Sequence, residues 1–240
     1  MREVVLFPDT FNNFFEPHVA IAAVEVLERA GFRVIVPREQ LCCGRPLYDQ
    51  GMLDVAKARL RDVMDALDPF VAVGIPIVGL EPSCILTFRD ELPSLFSEDP
   101  RAKALASSSF LLDEFIAREA PDFAPPALSR RTIVQGHCHQ KAIAGMGGEV
   151  ALLSRAAGAN LVVLDAGCCG MAGAFGYDRD HFEVSKTIGT RVLIPAIDKS
   201  PPDAIIVADG FSCRSQIRHF CPSRTPMHLA EVLNLATGAR

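Results

Sequence analysis

Seven of the eight cysteines in this chain of 240 residues fall in a pattern that packing alone does not produce. Two adjacent pairs, Cys42–Cys43 and Cys168–Cys169, are each followed by a glycine, Gly44 and Gly170. Neighbouring side chains on any regular element point in different directions and rarely share one apolar pocket. Paired sulfurs at a turn therefore point to chemistry that needs two thiolates in one place. Cys138, Cys168, Cys169 and Cys213 come from three separate stretches, and four thiolates suit zinc or an iron–sulfur centre, which both favour soft sulfur ligands. A smaller set, Cys42, Cys43 and Cys84, offers three. The competing explanations are buried free cysteines, a vicinal disulfide, or a thiol–disulfide enzyme working through the adjacent pairs.

The elements that must position these residues alternate between strand and helix. In the first half, Glu3–Phe7 and Phe32–Val36 read as strands, Glu16–Ala30 as a helix with apolar residues at helical spacing, Met52–Leu67 as a second helix and Ile75–Leu80 as a third strand. A helical stretch towards Phe96 and a helix over about residues 104–118 precede a proline-bearing segment, APDFAPPALSR. The pattern then restarts. Thr132–Gln135, Asn160–Leu164 and Ala204–Val207 read as strands, Glu149–Ala157 and His181–Ala196 as helices, and Asp209–Cys213 opens another helix.

Cys43 and Cys169 lie 126 residues apart, Cys84 and Cys213 129, and Thr10 and Cys138 128, so the halves are a tandem duplication. This divides the chain into a first repeat over 1–120, a linker over 121–130 and a second repeat over 131–240. Strand–helix alternation produces parallel sheets covered by helices. Every cysteine turn then falls at the carboxyl end of a strand, where open parallel sheets carry their ligand sites. The duplication is asymmetric at one point: Thr10 stands where the second half has Cys138, and its hydroxyl is a poor ligand.

Around the second set, His137 and His139 flank Cys138, and alternation in an extended segment sends both to the face opposite the thiol. Supporting roles beside the metal ligands follow for them and for Gly170, which lets the backbone turn its amides towards sulfur. Lys141 brings positive charge to the same place. Cys221, His18, His181 and His228 read as bystanders.

Composition removes several function classes. Apolar residues make up 49% of the chain and the net charge is −5, which suits a globular protein and argues against a nucleic-acid surface. The longest apolar passage, residues 69–80, falls short of the roughly 18 residues that span a bilayer. MREVVLFPDT runs straight into a strand-like segment without a secretory signal, so a reducing, cytoplasmic or inner-membrane-peripheral location is expected, where clustered cysteines bind metal or do redox chemistry. GxGxxG after a strand, GxxxxGK[ST], a serine nucleophile elbow and the ferredoxin C-x2-C-x2-C-x3-C-P run are all lacking. A Cys138–His139 hydrolase leaves the duplication unexplained.

DTFNNFFEP, CCGRPLYDQG, GLEPSC, GHCHQKA, CCGMAGAFGY and VADGFSCRSQI together resemble the cysteine-rich (CCG) domain proteins, over essentially the whole chain. These include the B subunit of heterodisulfide reductase and the iron–sulfur subunits of glycolate oxidase, anaerobic glycerol-3-phosphate dehydrogenase and lactate utilisation. The motifs are most similar to the C-terminal portion of FAD-linked D-2-hydroxyacid dehydrogenases of the D-lactate or D-2-hydroxyglutarate type. The resemblance implies an α/β fold of two Rossmann-like parallel-sheet CCG repeats related by pseudo-twofold symmetry. It also implies an electron-transfer module that passes electrons from reduced flavin, held on another domain or subunit, through iron–sulfur centres such as 4Fe-4S. An FAD-binding dehydrogenase part and a ferredoxin-type module are the partners so implied, and the chain alone is not catalytically complete. Cys138, Cys168, Cys169 and Cys213 match the full ligand pattern. The first repeat departs from it at Thr10, and both final motifs carry one cysteine where some relatives have CxxC, with Leu86, Thr87 and Ser215, Gln216 following instead. The alternative from another class is a zinc-stabilised docking module without redox activity.

Overall fold

The computed structural model describes residues 1–235 and divides into two compact units, Met1–Phe123 and Ala124 onward. In the first unit four parallel strands, β1 (Arg2–Leu6), β2 (Phe32–Ile35), β3 (Ile77–Gly79) and β4 (Ser109–Leu111), lie in the order β2-β1-β3-β4. In the second, β5 (Thr132–Val134), β6 (Leu161–Val163), β7 (Ile205–Val207) and β8 (Pro226–Met227) lie in the order β6-β5-β7-β8. Both sheets thus run 2-1-3-4 when each unit's strands are counted in sequence. The α/β duplication expected from the cysteine spacing is present as two copies of one topology.

Parallel neighbours need long crossovers, which the intervening helices supply. The first, Pro17–Arg29, starts with a proline whose missing N–H costs nothing at that position, and buries Val19, Ala22, Ala23, Val26 and Leu27. The helix Leu53–Val71 buries Ala56, Leu60, Val63, Met64 and Leu67 in the same way. Between these layers β1 contributes Val4, Val5 and Leu6, all buried, and pairs Val4 with Val34 and Val5 with Ile77. In the second unit β5 has the same central place, pairing Ile133 with Val162 and with Ile206.

Two elements differ from the sequence expectation. The helix expected over 104–118 is broken by β4: Pro100–Ser108 ends where the Ser109 hydroxyl donates to the Leu105 carbonyl, and Ser109–Leu111 then extends along β3 before Leu112–Glu119 begins. The SFLL run satisfies a helical apolar pattern as well as a strand, and gaining a sheet edge decides between them. His181–Ala196 is also two helices, Phe182–Gly189 and Leu193–Asp198. Pro195 explains the break, because its ring would strike the carbonyl four residues back and it offers no N–H to continue the ladder.

In both sheets the chain leaves the central strand for one neighbour and then crosses to the other side. The loops after β1, β2 and β3, and after β5, β6 and β7, therefore open towards the point where the strand order reverses. All of these loops but the one after β1, which holds Thr10, lead to the cysteines. Among the described residues, no helix is long and apolar enough to cross a membrane.

Candidate metal centre

All eight cysteines are free thiols, so neither adjacent pair is bridged. In the second unit Cys138 is the first residue of the helix after β5, Cys168 and Cys169 lie in the turn after β6, and Cys213 is in the helix Phe211–Phe220 after β7. The four meet. Cys168 is hydrogen-bonded to both Cys138 and Cys169, and Cys169 to Cys213. Cys138 is exposed, Cys168 half-buried, and Cys169 and Cys213 sit in the apolar core with Met171, Leu193, Ile206 and Ile217. The set is anchored at one end and open at the other.

Protons within this chain of sulfurs are unequal. Hydrogen bonds from the Cys138 and Cys169 thiols, helped by the N–H groups of Gly170 and Ala172, hold the Cys168 thiol far below its ordinary range despite burial. Cys138 is pushed up by its bond to Cys168 and by burial, and Cys169 by its bonds to Cys168 and Cys213 and by burial.

The turn's geometry accounts for the glycine. The Gly170 N–H donates to Cys168 Sγ at 3.3 Å from a backbone with φ of +101°, and a Cβ there would lie 2.2 Å from the Ser185 carbonyl oxygen. Ala172 follows with φ of +43°, so successive amides curl towards one sulfur as they do in anion-binding nests. The first unit repeats the device, with Gly44 at φ +76° giving its N–H to Cys42 and Arg45 giving its N–H to Cys43.

The remaining residues expected at this site support it from behind. Cys138 and His139 open an α-helix with His137 at its N-cap, so the extended alternation expected here does not apply; His137 is buried and Cys138 exposed, and the imidazole packs over Gly210, where a Cβ would lie 2.4 Å from His137 Cδ2 and 3.3 Å from Cys213 Sγ. His139 is half-buried and turns its backbone N–H to Cys138. Lys141 Nζ donates to the carbonyls of Ala166 and Gly167, tying down the approach to the cysteine pair.

Two supports escaped the sequence. Gln216, at the position where some relatives have the second cysteine of CxxC, is buried and donates from Nε2 to the carbonyls of Cys169 at 3.0 Å and Ser185 at 3.3 Å. Gln216→Met, of similar length but unable to donate, should cost about 2 kcal/mol because two buried carbonyls lose their donor; thermal denaturation followed by circular dichroism measures it. The other is His228, set aside as a bystander. It is buried, its Nδ1 accepts from the Ala230 N–H at 2.9 Å, and its Nε2 lies 3.6 Å from Asp209 Oδ1, beside the loop that delivers Cys213.

The first unit gathers Cys42, Cys43 and Cys84 in the same way, with the Thr10 hydroxyl bonded to Cys42 where the second unit has its fourth thiol. A hydrogen bond from Cys43 favours the Cys84 thiolate, but burial and the carboxylates of Asp9 and Glu81 outweigh it and push that thiol up to about 11.

Four sulfurs on three loops, with backbone N–H groups turned towards them, form a donor set suited to a soft metal ion or an iron–sulfur centre, whose bound sulfur carries negative charge that such amides stabilise. Over 98% of its length the chain is 30% identical to D-2-hydroxyglutarate dehydrogenase of Pseudomonas putida, of which it covers 22%. It is 28% identical to the C subunit of the anaerobic glycerol-3-phosphate dehydrogenase of Escherichia coli, over 90% of this chain and 54% of that one. It is 32% identical to lactate utilization protein A of an Exiguobacterium strain, over 98% of both chains. The cysteine-rich domain pattern, CCG, matches residues 9–89 and again 137–218, one copy on each sheet with its cysteine turns inside the match. With both repeats matched and both sheets wound alike, the chain belongs to the cysteine-rich (CCG) domain family.

Proposed function

We propose that this chain is the electron-transfer part of a flavin-dependent 2-hydroxyacid dehydrogenase, as a subunit or as a domain of a longer chain, with an iron–sulfur centre held by Cys138, Cys168, Cys169 and Cys213. The observation that carries this is the convergence of four thiols from three loops under the amides of Gly170 and Ala172. The names of the relatives, two of them dehydrogenases or parts of one, supply the class of reaction. The chain spans about a fifth of one of these and about half of the other, so a flavin-bearing part and a ferredoxin-type part are assigned to other domains or subunits.

An iron–sulfur centre held by Cys138, Cys168, Cys169 and Cys213 would supply one-electron chemistry. The chain's own residues do the rest. Amide N–H groups at Cys168 and Cys169 stabilise added negative charge and so raise the reduction potential. The buried Cys169 and Cys213 fix the inner side and exclude water, while exposed Cys138 marks the side from which a partner delivers the electron.

Full-length protein purified without oxygen should be coloured, bleach with dithionite and regain its colour on reoxidation. A colourless protein with stoichiometric zinc would transfer the assignment to a docking module without redox activity.

A further inference from the structure

The turn that carries Cys168 and Cys169 is held by its carbonyls as well as by its N–H groups. Lys141 Nζ donates to the carbonyls of Ala166 and Gly167, the two residues that lead into the cysteine pair. Gln135, buried at the end of β5, donates from Nε2 to the same Gly167 carbonyl at 3.2 Å. Gln216 Nε2 reaches the Cys169 carbonyl at 3.0 Å from the helix that carries Cys213. Three side chains, two from the segment at the end of β5 and one from the helix after β7, thus hold the turn by carbonyls, while the Gly170 N–H stays on Cys168 Sγ.

Of the three donors only Lys141 is charged. It stands three residues after Cys138 on the helix Cys138–Ile143, a spacing that makes two residues neighbours on one helix face. Its half-buried stem passes Gly136, where a Cβ would lie 3.3 Å from Lys141 Cδ. Both of its hydrogen bonds fall on backbone carbonyls, and among the described residues no carboxylate pairs with it. Its charge is left to act on the sulfurs of the turn it holds.

The first unit keeps the backbone and lacks this arrangement. Phe7 takes the place of Gln135: each gives its N–H to the strand alongside, Phe7 to the Val78 carbonyl at 2.8 Å and Gln135 to the Val207 carbonyl at 2.9 Å. Uncharged Asn13 stands at the position of Lys141, with the separation that relates Thr10 to Cys138. Thr87 stands at the position of Gln216, and its hydroxyl turns back to the Ser83 carbonyl at 2.8 Å. The glycine turn is common to both units, and the charged clamp belongs to the second.

We infer that Lys141 is a positioning residue that sets the reduction potential of the centre proposed at Cys138, Cys168, Cys169 and Cys213. Its charge stabilises the electron that the centre accepts, and its grip on the Ala166 and Gly167 carbonyls keeps the N–H groups that follow directed at sulfur. This role rests on the proposed electron-carrying centre and names the side chain that tunes it. Reduction adds one electron, supplied by the reduced flavin of the proposed partner, and transfers no atom.

The test is an anaerobic redox titration, followed by visible absorption, of full-length native protein, Lys141→Gln and Lys141→Arg. Gln keeps a donor for the carbonyls and drops the charge, whereas Arg keeps both. At the poise that half-reduces the native centre, the ratio of reduced to oxidised Lys141→Gln protein should fall on the order of tenfold, about 59 mV towards more negative potential for one electron. Lys141→Arg should stay within about twofold of native, because the charge is retained. The ratio does not depend on how much centre each preparation carries, and thermal melts of the same samples report the clamp separately. A native centre that reduces while Lys141→Gln titrates within about twofold of it, whatever happens to the melting temperature, would overturn this inference alone. So would Lys141→Arg shifting as far as Lys141→Gln. Native protein with no reducible centre would overturn the electron-carrying reading and this inference with it.

Discussion

Gly170→Ala is expected to destabilise the second unit by roughly 3 kcal/mol and to release whatever the second sulfur site holds. Two costs combine. The backbone at φ +101° is one that a residue with a side chain rarely adopts, and the added methyl would lie 2.2 Å from the Ser185 carbonyl oxygen, a backbone atom that cannot rotate away. Ser185 is itself fixed, because its carbonyl and hydroxyl both accept from Gln216. Relief requires the turn to move, which takes the Gly170 N–H off Cys168. The melting temperature should fall on the order of 10 °C, with metal content falling in the same preparation. Gly145→Ala is the informative comparison. Gly145 also has positive φ, +77°, but nothing lies within 4 Å of its Cβ direction, so it should show the backbone cost without the loss of metal.

Replacing Cys169 or Cys213 by serine should reduce bound metal on the order of tenfold or more, whereas Cys221→Ser should leave it unchanged. The three are matched in burial, each about 3% exposed or less, so the stability cost of placing a hydroxyl in the core is comparable. They differ in their neighbours. Cys169 and Cys213 are bonded to each other's thiols, while Cys221 donates to Asp198 Oδ1 at 3.3 Å and stands apart from the set. If the cysteines serve only as small apolar residues, all three variants should lose similar stability and none should change metal content. Metal analysis of the three purified variants, alongside their thermal melts, separates the cases.

The positions of the sulfur loops were legible because two independent signals agreed on them. The apolar runs around Val4–Leu6 and Ile205–Val207 mark strands buried on both faces, and the near-constant offset between the cysteine turns marks the duplication. The strand ends then placed the cysteines on one edge of each sheet without any contact being known. β4 and β8 were not legible, because Ser109–Leu111 lies in a run that satisfies a helical pattern as well, and the two residues Pro226–Met227 are a strand only through the neighbour they pair with. Gln216 was noted only as a missing cysteine. Its role depends on two carbonyls, one 47 and one 31 residues away, that no local pattern reveals. Asp9 and Glu81 stood beside the motifs in plain view, but only folding shows that both are buried and that both carboxylates push the same thiol up.

Iron, acid-labile sulfide and zinc, quantified on full-length protein kept from oxygen and paired with an EPR spectrum before and after dithionite, test the central claim most directly. Iron and sulfide in equal amounts, with an EPR signal that changes on reduction and is lost in Cys168→Ser, are the predicted result. Protein that carries neither iron nor sulfide and shows no reducible signal would contradict an electron-carrying centre at Cys138, Cys168, Cys169 and Cys213.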